Sequence, residues 1–120
     1  MPSLNTVESF IQLVESGQTV LAMERFYSED ASMQENESAP RTGKVALIKH
    51  EEAALASIAT MKATCIRPVF IAADSVVIRW VFEILDKKGK NTRFEELALQ
   101  RWKGELMVEE KFFYDPGQLK

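Results

Sequence analysis

The apolar positions of this chain change period partway along it. Between residues 4 and 14, Leu4, Val7, Phe10, Ile11 and Val14 fall three and four apart, the spacing that puts them on one face of a helix. Ser3 or Asn5 can cap that helix and Gly17 can end it. A second short helix carries Val20, Met23, Phe26 and Tyr27 on one side. Residues 31–36 have the length of a short strand, and the stretch from Pro40 to Gly43 is turn material. A third helix is predicted over residues 44–59, with Val45, Leu47, Ile48, Leu55, Ile58 and Ala59 as its apolar stripe. Glu51 falls inside that stripe, three residues after Ile48 and four before Leu55.

Beyond residue 60 the period drops to two. Strands are predicted at residues 62–72, 75–86, 92–103 and 106–115, with turns at Ala73-Asp74, at Lys88-Gly89-Lys90-Asn91 and at Gly104. In the second of these, Val76, Ile78, Trp80, Phe82 and Ile84 share one face and Val77, Arg79, Val81, Glu83 and Leu85 the other. In the third, Phe94, Glu96, Ala98, Gln100 and Trp102 share a face. Three helices followed by an antiparallel meander give an α+β fold, with the helices packed on one face of a curved, mostly antiparallel sheet around an internal pocket. At 120 residues, the chain is expected to form a single domain, 1–120. The outer sheet face, with Val77, Val81, Leu97 and Leu99, is too apolar to be left in water, so a homodimer through it is expected.

Charge and cysteine usage narrow the function. The formal net charge is −3, and Lys87, Lys88 and Lys90 sit in a hairpin tip, so no nucleic-acid partner is expected. Cys65 is the only cysteine and His50 the only histidine. No disulfide, metal site or cofactor is therefore expected, and Cys65 reads as a buried thiol. The first residues lack the charged-then-apolar pattern of a signal peptide, and no run approaches a membrane span. A cytoplasmic protein without a membrane partner is the expectation. What remains are carboxylates placed among apolar side chains: Glu35, Glu51, Glu96, and one of Glu109 and Glu110. Burial disfavours the charged form, so such a carboxyl can exchange protons near neutrality.

Several local runs resemble the nuclear-transport-factor-2-like superfamily, and within it the SnoaL-like polyketide cyclase branch. They are Phe26-Tyr27-Ser28-Glu29-Asp30-Ala31 leading into Met33-Gln34-Glu35-Asn36, then Pro40-Arg41-Thr42-Gly43-Lys44, Gln100-Arg101-Trp102, and Glu110-Lys111-Phe112-Phe113-Tyr114-Asp115-Pro116. The resemblance covers nearly the whole chain and implies a cone-shaped fold with a pocket for a small molecule. Compared with the steroid isomerases of that superfamily, Glu35 falls on the general-base position. The two oxyanion-donor positions fall on Phe10 and Ala98, neither of which can donate a hydrogen bond. The resemblance implies a pocket lined by Phe10, Tyr27, Met33, Trp80, Phe82, Ile84, Ala98 and Gln100, and favours Glu109 and Phe113 over Glu110 and Tyr114 as inward. Two functions stay open. One is a lyase, isomerase or cyclase with Glu35, Glu51 and Glu96 as its catalytic carboxylates. The other is a non-catalytic binding or scaffold module.

Overall fold

A computed structural model describes residues 1–119. Helix α1 spans Leu4–Glu15, α2 Thr19–Phe26 and α3 Lys44–Ala56. The strands are β1 Tyr27–Glu35, β2 Arg41–Thr42, β3 Ile58–Ala72, β4 Ser75–Asp86, β5 Asn91–Lys103 and β6 Leu106–Phe113, and a 3-10 turn, Pro116–Leu119, follows. The six strands form one sheet in the order β2-β1-β6-β5-β4-β3. All neighbours are antiparallel except β1 and β6, which run parallel. The α+β architecture expected from the periodicity is the one observed.

Ser3, not Asn5, caps α1: its Oγ accepts from the Thr6 backbone N–H at 3.1 Å. Val7, Phe10, Ile11 and Val14 bury the predicted stripe, while Leu4 stays exposed. Gly17 lies at φ 82°, which fits the left-handed turn that ends α1. Helix α3 stops three residues earlier than its pattern predicts, because Ile58 already pairs with Asp86 as the start of β3. Only Leu47 of α3 is fully buried. The stretch read as a turn contains β2, whose two residues pair with Ser32 and Met33.

One end of the cone is solid. Phe10, Phe26 and Trp102 meet edge-on with ring centres 6.0 to 6.3 Å apart, and Ile11, Val76, Ile78 and Met107 close the packing around them. The other end is open beneath α3. Its walls are the inner faces of β4 and β5, and the ladder sets Trp80 beside Glu96 and Phe82 beside Phe94.

Among the described residues no helix is long and apolar enough to cross a membrane. Cys65 is buried as expected, and burial pushes its thiol pKa up.

Candidate functional site

The open end of the cone holds a cavity of about 330 Å³, within the range of small-molecule sites. Phe10, Tyr27, Met33, Glu35, Glu51, Trp80, Phe82, Ile84 and Glu96 line it, all of them residues the sequence brings forward. The cavity also carries Arg41, His50, Phe94, Glu110, Phe112 and Tyr114.

Four expected pocket residues are placed differently. Glu109 lies on the outer face, where it accepts from Arg101 Nη2 at 2.9 Å and Arg101 Nε at 3.2 Å, and Arg101 holds its carboxyl below the usual range. Phe113 is also outside, exposed opposite Leu97. The cause is a one-residue bulge in β6. Trp102 pairs with Met107 and Arg101 with Glu109, so Val108 is left over. A shift of one residue exchanges the two faces of a strand, and Glu110 and Phe112 turn inward in place of Glu109 and Phe113. Ala98 and Gln100 are fully buried on the inner face but lie behind the wall rather than on it.

Gln100 has a specific task there. Trp102 Nε1–H donates to Gln100 Oε1 at 3.0 Å, which fixes the amide so that Gln100 Nε2 donates to Glu110 Oε2 at 2.7 Å. The Tyr27 hydroxyl donates to Glu110 Oε1. Both oxygens of this 4% exposed carboxyl are thereby satisfied. Burial raises the Glu110 pKa, opposed by the Tyr27 and Gln100 hydrogen bonds. Burial also raises Tyr27 well above its ordinary value, and the Glu110 charge adds to the effect. Replacing Gln100 by Leu conserves volume but orphans Glu110 Oε2 and Trp102 Nε1. Each lost partner costs about 1–3 kcal/mol, so urea denaturation of Gln100→Leu is expected to show a loss of that order or more. A loss below about 0.5 kcal/mol, the scatter of ordinary surface changes, would contradict this reading of the network.

The other carboxyls differ in their surroundings. Glu35 lies at the rim, 3.6 Å from Arg41 Nη2. Arg41 Nε is buried without a hydrogen-bond partner. Burial raises the Glu51 pKa, with the His50 charge opposing and Glu35 adding. Glu96 is only 8% exposed. Burial, followed by the charges of Glu110, Glu35 and Glu51, pushes its carboxyl up to about 8. A carboxyl raised that far is mostly in its protonated form at neutral pH, the form that can donate a hydrogen bond. Among the described residues no group of three His, Cys, Asp or Glu side chains is placed to hold a metal ion.

No protein-family model matches the sequence, and no curated protein matches it by sequence. Solved structures do match in fold. One assigned as a SnoaL-like polyketide cyclase from Mesorhizobium loti is 20% identical, over 92% of this chain and 97% of that one, with a TM-score of 0.78. A nuclear-transport-factor-2-like protein of unknown function from Burkholderia pseudomallei is 10% identical over 97% and 92%, with a TM-score of 0.83. A protein with a ketosteroid isomerase-like fold from Catenulispora acidiphila, solved in complex with trimethylamine, is 18% identical over 94% and 87%, with a TM-score of 0.79. The chain thus has the α+β fold common to SnoaL-like and nuclear-transport-factor-2-like proteins.

Proposed function

We propose that this chain binds a small, largely apolar carbonyl compound and moves a proton on it, as a cofactor-independent lyase, isomerase or cyclase would. The observation that carries this reading is the pairing of two unlike carboxyls in one apolar cavity. Glu35 lies beside Arg41 at the rim, and Glu96, its carboxyl pushed up to about 8, is the ladder neighbour of Trp80 on the wall. Two carboxyls with separated environments are the arrangement acid–base chemistry uses. Glu35 takes the proton from carbon next to the carbonyl. Glu96 donates to the oxygen on which charge develops. Glu51 adjusts the proton balance from the α3 side, and the aromatic wall excludes water. The test is exchange of carbonyl-adjacent protons of a panel of small cyclic ketones in deuterium oxide, followed by proton NMR with and without the protein.

A second reading, a pocket that binds without turnover, is favoured by Phe10 and Ala98, which offer no donor where related enzymes carry one. Binding of the same ketones with no exchange would select it.

For the assembly, we propose that two copies pair through the outer sheet face. Of the residues expected on that face, Leu97 and Leu99 are exposed, joined by Phe70 and Phe113 on neighbouring strands, whereas Val81 is already buried within the chain. Arg79 with Glu95 and Arg101 with Glu109 set both charge signs on that face, so it can complement itself about a two-fold axis. Sedimentation equilibrium at micromolar concentration is expected to give a dimer, and Leu97→Lys a monomer. A wild-type monomer would remove the proposal.

A further inference from the structure

Glu35, Glu51, Glu96 and Glu110 face one cavity against two basic side chains, Arg41 and His50. Glu35 faces Arg41, and Glu110 is held by Tyr27 and Gln100. Glu51 and Glu96 line the cavity with no hydrogen bond or ion pair to any described residue, and of the two Glu96 is the one more than nine-tenths buried. Its surroundings are aromatic. Trp80 is its ladder neighbour, Phe82 stacks on Phe94 with centres 5.2 Å apart, and Tyr114 lies 6.0 Å from Phe94. The aromatic walls around Glu96 suit a cation that carries alkyl groups. Aromatic faces attract such a cation through their quadrupole and bury its alkyl groups at the same time.

We propose that this cavity takes up a small alkylated ammonium ion, its charged head against Glu96 and its alkyl groups against Trp80 and Phe82. The proposal goes beyond the functional reading above, with a different ligand in the same cavity; it shares with that reading only that the cavity is a small-molecule site, and it does not need Glu35 to be a base. The proton balance is fixed by the same geometry. A cation beside Glu96 favours the carboxylate, so the proton Glu96 holds at neutral pH passes to solvent as the cation enters. The titratable and charged groups facing Glu96 are Tyr27 and Glu35 from β1, Arg41 from β2, His50 and Glu51 from α3, Glu110 from β6, and Tyr114 just beyond it. Glu110, Glu35 and Glu51 oppose ionisation of Glu96 and so sharpen the preference for a cation.

Choline and its uncharged carbon analogue, 3,3-dimethylbutan-1-ol, test this by isothermal calorimetry on the intact wild-type chain. Choline is expected to bind at least about tenfold more tightly than the alcohol at about pH 9, above the Glu96 value of about 8. Its affinity falls as pH drops below the Glu96 value of about 8, by up to about tenfold per unit. Titrations at neutral pH in two buffers of different ionisation enthalpy are expected to show a proton released per choline bound. Glu96→Gln loses both the preference and the pH slope. Equal or tighter binding of the alcohol overturns the proposal and leaves the carbonyl reading standing. Binding of neither molecule at about pH 9 overturns it too. If Glu96→Gln does not fold, the wild-type comparison of the two ligands decides alone.

Discussion

Glu35→Gln is expected to lower the rate of carbonyl-adjacent proton exchange by about 10²–10⁴, the contribution a positioned general base makes. Glutamine conserves the shape of the side chain and can still meet the Arg41 guanidinium 3.6 Å away. It cannot accept a proton from carbon. Ketone affinity is expected to stay within about threefold, because Glu35 sits at the rim and the apolar wall supplies most of the binding. The split matters: a variant that lost affinity and kept its rate would make Glu35 a binding group, and an unchanged rate would remove it as the base. Glu51→Gln, on the α3 side of the cavity, is expected to lower the rate less than Glu35→Gln, since Glu51 is assigned no proton from carbon.

Glu96→Gln carries the second large effect, and its sign depends on pH. The folded-state pKa of Glu96 is about 8, against an ordinary carboxyl value of 4.5. A raised carboxyl binds its proton more tightly in the folded chain than in the unfolded one. Stability from this group is therefore complete below the unfolded value and is lost as pH rises through about 8. At 1.36 kcal/mol per unit, the loss between about pH 5 and about pH 9 is about 4 kcal/mol. Glu51 and Glu110 are also raised and steepen the same trend. In the single chain the carboxyls shifted downward, such as Glu8, Glu95 and Glu109, are exposed partners of Arg67, Arg79 and Arg101, and pairs of that kind are worth little. Glu96→Gln removes the charge that must be buried at high pH. The variant is expected to match the wild type at about pH 5 and to exceed it by several kcal/mol at about pH 9 in urea denaturation. A variant less stable than the wild type at the higher pH would contradict the assignment.

Much of the wall was legible because period-two alternation leaves little freedom in a long strand. Val76 through Ile84 on β4 and Phe94 through Trp102 on β5 point as the pattern predicts, and the register sets Trp80 beside Glu96. Glu51 was legible as a charge inside an apolar stripe, and it does face the cavity. The parity of β6 was not. An unbroken ladder counted back from the Lys103–Leu106 pair would set Glu109 opposite Gln100, facing inward. The leftover Val108 sets Glu110 there instead, and nothing in Met107-Val108-Glu109 announces a bulge. Arg41 and His50 were missed as cavity residues for different reasons. Arg41 lies on a two-residue strand, too short to show a period, and His50 stands beside the α3 stripe rather than on it. Gln100 could be assigned to the inner face, but not to Glu110, because that contact depends on the bulge and on the Trp102 indole that orients the amide. The helix–strand border near Ile58 was blurred because Leu55, Ile58 and Ala59 extend the helical spacing into residues that tertiary pairing takes as strand.

The chemistry proposed for the cavity depends on Glu96 keeping its proton at neutral pH while Glu35 faces it. Carbon-13 NMR titration of the glutamate side-chain carboxyls, with Glu96 assigned by the loss of its signal in Glu96→Gln, reads that state directly. The account predicts a Glu96 midpoint at about 8, moving downward in Glu110→Gln as one of the opposing charges is removed. A Glu96 midpoint at the ordinary carboxyl value of 4.5 would mean that the group is ionised at neutral pH, and the acid half of the proton-transfer pair would be lost.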